Sequence, residues 1–134
     1  MLAPFQKQIL TNATANTVAV VPEILDFHHV HLQIAATAAA TSGATIKVLG
    51  SYSPIKPDFS AAASLTNQHF PISVKNLDTV ANITGNTGIP LSASSTIIQG
   101  YMVNTDSLKW IAVQVSGVTG TVDISAIIVA SDAI

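Results

Sequence analysis

The sequence predicts an all-β protein, a single-domain β-sandwich of about eight antiparallel strands that is jelly-roll-like and contains at most one short helix. Three observations support this prediction. Apolar and polar residues alternate with a period of two in several short runs. Turn-forming residues separate these runs at intervals of roughly 8–12 residues, and no helical periodicity alternates with them. A chain of 134 residues fits one domain, expected at 1–134.

The first part of the chain is predicted to contain the strands 5–10, 17–21, 27–36 and 44–52. The third is the clearest, because Val30, Leu32 and Ile34 lie on one face while His29 and His31 lie on the other. The fourth is expected to return from the third after a turn rich in Thr, Ser and Gly.

A long excursion without strand pattern occupies residues 53–68. Asp58 is a suitable N-cap there for one or two helical turns at 59–65. Loops of this length usually carry function or cross over a sheet. Beyond the excursion, the predicted strands are 70–77, 80–83 and 98–103.

The most regular pattern lies at 109–129, near the C-terminus. Two alternating runs flank the Gly-containing linker 116–120, a pattern typical of a β-hairpin, and we expect this hairpin at the centre of a sheet. The second run has an unbroken apolar face at 122–128. Its opposite face turns apolar at Ile127 and Val129, so these residues are predicted to form an interface rather than part of the core.

The composition predicts self-association. Charged residues make up 9% of the chain, against about 25% in ordinary soluble domains, although 49% is hydrophobic. Such a surface is poorly suited to a dispersed monomer, so we expect copies of the chain or a larger particle to cover it. A net charge of −2 provides no cationic surface for phosphates, and nucleic acid is not an expected partner.

Membrane and disulfide chemistry are also not expected. The chain has no cysteine, and the N-terminus lacks the basic and apolar regions of a signal peptide. The uncharged run 32–46 is too short and too polar to span a bilayer.

The histidine-rich run around residue 29 is the one candidate metal site. His29 and His31 leave the same face of a strand, so their imidazoles could hold a metal together. A third ligand would have to come from Asp26, His69 or a symmetry-related copy. The favoured interpretation is that both histidines are polar residues of an outward or interface face, with no metal and no cofactor.

Catalytic motifs are not found in the sequence. Serines are plentiful, but none lies in a Gly-x-Ser-x-Gly elbow. Glu23 is the only glutamate, and the aspartates fall mostly in turns, so a carboxylate pair for glycoside hydrolysis is poorly supported. We therefore expect a protein that is not an enzyme.

Several short motifs between residues 44 and 125 resemble small virion structural proteins of tailed bacteriophages. They are IKVLGS at 46–51, PDFS at 57–60, SLTNQ at 64–68, ITGNTGI at 83–89, YMVN at 101–104 and WI at 110–111. The resemblance implies a β-sandwich subunit of the capsid decoration or cement type. It also implies a homo-oligomer, with a trimer favoured, that sits on the major capsid protein or other virion proteins. The protein would be made in the host cytoplasm and localise to the virion.

A second function class stays open: a carbohydrate- or receptor-binding β-sandwich module of a viral spike or tail. Such modules present several aromatic side chains on one exposed face. The sequence offers Tyr52, Tyr101 and Trp110 for this role, and Trp110 is better explained by core or interface packing.

Overall fold

The structure, a computed structural model, describes residues 5–21, 29–105 and 108–131. These residues form eleven β-strands and no helix. The strands are β1 (Phe5–Ala13), β2 (Thr17–Val21), β3 (His29–Ala38), β4 (Gly43–Ser51), β5 (Phe70–Ile72), β6 (Val74–Asn76), β7 (Asn82–Ile83), β8 (Ile89–Leu91), β9 (Thr96–Val103), β10 (Trp110–Thr119) and β11 (Val122–Ser131). The described residues therefore contain no helix that could span a membrane.

The strands form two antiparallel sheets. Sheet A has the order β1-β11-β3-β9-β6-β7, and sheet B has the order β2-β10-β4-β5, with β8 also paired to β4. The inward side chains of both sheets form one apolar core. The predicted all-β sandwich is therefore confirmed. The strand count exceeds the expected one because β5 to β8 are segments of only two or three residues.

The period-two pattern decides which side chains enter the core. In β3, Val30, Leu32 and Ile34 are at most 1% exposed, and in β11 Ile124 and Ile128 are fully buried. Burying each of these side chains contributes roughly 1.5–3 kcal/mol. A shift of one residue in register would turn each of these faces to solvent, so the two strands hold a fixed register of Ile34 opposite Ala126.

The predicted C-terminal hairpin is wrong. β10 lies in sheet B, between β2 and β4, whereas β11 lies in sheet A, between β1 and β3. Both strands keep the apolar faces that the sequence indicated, but these faces meet across the core instead of lying side by side. Gly117 and Gly120 adopt φ angles of 62° and 67° in the linker, a left-handed conformation that suits glycine, and the chain passes there from one sheet to the other.

The same correction applies at two other places. β4 does not pair with β3 as a return strand, because β3 pairs with β9 and β11 and β4 pairs with β10. The predicted strand 70–77 divides at Ser73, so that β5 pairs with β4 in sheet B and β6 with β9 in sheet A. The first two residues of the predicted third strand, 27 and 28, lie outside the described residues.

The predicted helical turns after Asp58 are absent. The Asp58 carboxylate instead accepts hydrogen bonds from the backbone N–H of Ser60 at 3.0 Å and from its hydroxyl at 2.5 Å. These bonds close a local turn of the kind that aspartate favours. The excursion continues as an irregular segment, residues 53–69, which we call the covering loop.

Candidate interaction surface

The covering loop lies on the outer face of sheet B. Its Phe59 is only 2% exposed and packs against Leu49 and Ala112, which are outward residues of β4 and β10. Val18, Val20 and Trp110 pack around this second apolar cluster. The protein's own chain therefore covers the apolar part of this face, and Phe59 is the side chain that anchors it.

Hydrogen bonds hold the covering loop in place. The Asn67 side chain accepts from the backbone N–H of Asp58 at 2.8 Å and donates to the carbonyls of Asp58 at 2.8 Å and Ala62 at 3.2 Å. The indole N–H of Trp110 donates to the Ser53 carbonyl at 2.9 Å. Trp110 thus has the packing role that the sequence favoured, against a loop of its own chain.

The outer face of sheet A is different, because its apolar side chains stay exposed. We call this surface the open face and define it by the outward residues of β1, β11, β3, β9 and β6. Ile98 is 76% exposed and Met102 is 39% exposed. Leu77, which follows β6 and is 50% exposed, lies over Gly100, where an added Cβ would be 3.2 Å from its side chain. Apolar side chains therefore extend across the open face from β9 to the β6–β7 hairpin.

The structure brings the interface residues predicted from sequence onto the open face. Val129 lies opposite His31, which in turn lies opposite Met102 on β9. His29 lies opposite Ser131 at the end of the same strand pair. Val129, His31 and Met102 form one row across β11, β3 and β9, and His29 and Ser131 lie beside this row on β3 and β11.

Ile127 begins a second row on the open face. It lies opposite Gln8 of β1 on one side and Gln33 of β3 on the other. Ile127 and Val129 are both partly buried by such neighbours. The apolar positions are thus separated by uncharged amides, which can pair with the polar groups of a partner.

Besides the histidines, the outward residues of the described strands that define the open face carry two charged groups, and Asp78 lies beside this face in the β6–β7 turn. Lys75 of β6 lies opposite Met102, at the end of the face that also carries His29. Asp123 of β11 lies opposite Thr37, toward the other end. Because so few charges would have to leave water, docking on this face carries a small desolvation cost.

The metal hypothesis gains no third ligand. Within 5–21, 29–105 and 108–131 no group of three His, Asp or Glu side chains is placed to hold a metal ion. His69 belongs to the covering loop on the other sheet, where its Nε2 lies 2.9 Å from the Ala61 carbonyl and its ring 5.3 Å from that of Phe59. The suggestion of His69 as a ligand is therefore wrong. Asp26 lies outside the described residues.

A cleft of about 650 Å³ adjoins the open face beside the first residue of β3. His29, Lys75, Asn82, Thr84 and Met102 are among the side chains that line it. The described lining contains an imidazole and an ammonium group but no carboxylate. The cleft thus extends to the edge of the open face and is lined by the same kinds of groups: an amide, hydroxyls and the Met102 thioether.

The aromatic candidates from the sequence do not come together. Tyr101 is 3% exposed in the core, and burial raises the pKa of its phenol above the usual value. Tyr52 is 58% exposed, and its ring centroid lies 5.5 Å from that of Phe70. The alternation in 70–77 predicts that Phe70 shares a face with Ile72 and Val74. These two are buried, whereas Phe70, the first residue of β5, is 39% exposed.

Comparison with known proteins gives a likeness of fold. No protein-family model matches the chain, and no curated protein matches it. Among solved structures, the crystal structure of the SPBc2 prophage-derived protein YomS is similar, with a TM-score of 0.50 and 16% sequence identity over 96% of each chain. At this identity the likeness shows a shared architecture over nearly the whole length of both chains.

Proposed function

We propose that the protein is a non-enzymatic structural subunit of a bacteriophage particle, of the capsid decoration or cement type, that acts as a homo-oligomer. The observation that carries the proposal is the contrast between the two sheets. The protein covers one outer face with its own loop, and it leaves Ile98, Met102 and Leu77 exposed on the other. Contiguous exposed apolar side chains on a charge-poor face are typical of a protein–protein contact.

Two features of the fold support a virion protein. Four neighbouring strands of one sheet have the order β1-β11-β3-β9, and the other sheet has the order β2-β10-β4-β5, an interleaved order that resembles that of a jelly roll. Jelly rolls are common in viral capsid proteins and in lectins. The similar fold of a prophage-derived protein supports an origin in a phage.

The size of the open face suits an assembly held by many copies. Its four long strands, about 4.8 Å apart and about eight residues long, give it roughly 500 Å². A contact that covers this area on one copy and an equal area on the next buries about 1,000 Å² in total, near the lower limit of a specific interface. Repetition of one modest contact over a lattice makes the assembly stable.

The charges of the open face favour a closed ring. Lys75 and Asp123 lie toward opposite ends of the face, so the Lys75 end of one copy suits the Asp123 end of the next. Head-to-tail contacts of this kind form a closed ring when the rotation between copies closes, and we propose a three-copy ring, a trimer. We place His29, His31, Ile127 and Val129 in this interface, and we expect the major capsid protein or another virion protein to be the second partner.

The test is the mass of the protein in solution, measured by light scattering at low micromolar concentration. A stable multiple of 13.8 kDa is expected, with a trimer favoured. Ile98→Lys places a charge on the open face and is expected to weaken association at least about thirtyfold, as at an interface hot spot. Ile55→Lys is the matched control, because Ile55 is 78% exposed on the covering loop, and it should leave the mass unchanged.

The location on the particle is tested separately. Mass spectrometry of purified phage from a strain that carries this gene is expected to find the protein in the virion at high copy number. A monomer that is absent from the particles would overturn the proposal. If Ile98→Lys and Ile55→Lys dissociated the oligomer equally, the open face could not be its interface, and this part of the proposal would be wrong.

A further inference from the structure

A second surface feature, away from the open face, is the exposed aromatic pair Tyr52–Phe70. Tyr52 directly follows β4, and Phe70 begins β5, where it lies opposite Gly50. The two rings are tilted by 33° with their centroids 5.5 Å apart. The pair therefore stands at one end of the sandwich, where loops rather than strands meet solvent and binding residues are commonly found.

Tyr52 and Phe70 are more exposed than the other described Phe, Tyr and Trp side chains. Phe59 and Tyr101 are 2% and 3% exposed, and Trp110 is half-buried under the covering loop. Tyr52 and Phe70 keep 58% and 39% of their surface in solvent. In a chain with only 5% aromatic residues, two adjacent exposed rings form a distinct apolar platform.

A recess of about 230 Å³ lies beside the platform, and Ser51, Ser53, Pro54 and Gln68 complete its lining. It is smaller than the roughly 300–1,000 Å³ of sites for drug-sized ligands, which fits a single ring better than a large molecule. Apolar walls with a few placed polar groups are the usual composition of a small-ligand site.

Hydrogen bonds between the end of β4 and the covering loop, and within the loop, hold the polar groups of the recess. The Ser51 hydroxyl donates to the Gln68 carbonyl at 2.5 Å and accepts from the Ser53 N–H at 3.0 Å. The Gln68 Nε2 donates to the Leu65 carbonyl at 3.1 Å, which fixes the amide and leaves its Oε1 as an acceptor. Ser53 Oγ accepts weakly from the Ile55 N–H at 3.4 Å, so its hydroxyl hydrogen can donate elsewhere.

We propose that the Tyr52–Phe70 recess binds a hexopyranose unit of a glycan. A pyranose ring has a face of C–H groups, which suits the electron-rich face of an aromatic ring, and a rim of hydroxyls that both donate and accept hydrogen bonds. The residues that line the recess carry these complements together: the two aromatic rings, the Gln68 side chain with Oε1 as an acceptor and the Ser53 hydroxyl as a donor. No carboxylate lines it among the described residues, and the nearby Lys109 ammonium is held on the Pro54 carbonyl at 3.1 Å, so an acidic sugar meets no repulsion.

The test is saturation-transfer difference NMR with four defined trisaccharides at millimolar concentration: maltotriose, cellotriose, chitotriose and trigalacturonic acid. We expect transfer to the ring C–H protons of at least one of them. Tyr52→Ala with Phe70→Ala is expected to weaken binding at least about tenfold, whereas Tyr52→Phe keeps the ring and should retain most of it. If the double variant does not fold, the single variant Tyr52→Ala is used instead, and weaker binding is again expected.

Leu65→Ala is the matched control, because Leu65 is 92% exposed on the same loop and lies outside the recess lining. It should bind as the unchanged protein does. The proposal is overturned if none of the four trisaccharides shows transfer, or if transfer persists after both rings are removed. The oligomer proposal uses the open face of sheet A and not these two rings, so a failure here leaves that proposal standing and the two proposals can be tested separately.

Discussion

The outer faces of sheets A and B have similar sequence patterns but differ in how much of their apolar surface is exposed. Each carries apolar side chains among polar ones: Leu49 and Ala112 on sheet B, Ile98 and Met102 on sheet A. On sheet B the covering loop buries these positions, with Leu49 at 5% and Ala112 at 0% exposure, whereas on sheet A Ile98 remains 76% exposed. An outward apolar residue can therefore belong to the protein's own packing or be left for a partner, and a distant segment decides which.

The covering loop is ordered only because its contacts offset its entropy. Fixing the backbone costs about 1–2 kcal/mol of conformational entropy per residue. An irregular segment has no regular hydrogen-bond ladder to offset this cost. Phe59 supplies the apolar burial, while Asn67 and Trp110 supply hydrogen bonds at its two ends. The open face has no comparable anchor within the described ranges, which is why its apolar side chains remain available to another molecule.

The largest effect that separates the two faces is expected from Phe59→Ala. Truncation of a buried phenylalanine costs roughly 3–5 kcal/mol, and since the loop can partly collapse, we expect a loss of about 3 kcal/mol in the free energy of unfolding. The measurement is equilibrium urea denaturation.

Ile98→Ala is the control on the opposite face. It should change the free energy of unfolding of the dissociated protein by less than about 0.5 kcal/mol, as surface substitutions usually do. Equal effects from Phe59→Ala and Ile98→Ala would contradict the distinction between a covered and an open face.

A smaller effect is expected from Asn67→Ala, which removes three hydrogen bonds within the covering loop. Each such bond contributes about 1 kcal/mol or less when partly exposed, so we expect a loss of about 1–2 kcal/mol and faster amide hydrogen exchange at 58–67. Asn86→Ala, at an exposed position outside the loop, should have little effect on either quantity. Unchanged exchange in the Asn67 variant would show that the Asn67 hydrogen bonds do not hold the loop and that Phe59 and Trp110 are sufficient.

The smallest effect concerns the turn at Asp58. Hydrogen bonds from the hydroxyl and the backbone of Ser60 lower the pKa of this exposed carboxyl below 3.8. Because the folded-state pKa is lowered, the stabilisation is present above pH 3.8 and is lost as the pH falls through the folded-state value. A ¹³C NMR titration of the carboxyl should show this, and Ser60→Ala should return the pKa toward 3.8. A midpoint at or above 3.8 in the unchanged protein would contradict the turn.

The candidate surfaces were only partly predictable. Ile127 and Val129 stood out because they interrupt a polar run, and both lie on the open face. Ile98 did not, because its strand has apolar residues on both faces and alternation cannot separate inside from outside there. Alternation predicts a shared face for Phe70, Ile72 and Val74, but only Ile72 and Val74 are buried. Alternation along a strand gives the face of a side chain, and it does not say whether the opposite sheet reaches far enough to cover the end of that face.

The sequence by itself determined where the long strands lie and which side chains they turn inward. That information is local, because alternation along one strand fixes its two faces. The tertiary structure alone decided which strands pair, and β10 and β11 show the reason. Both need to bury an apolar face, and they can do so side by side in one sheet or opposite each other across the core. The choice depends on the edges offered by β1 to β4, which lie far away in the sequence.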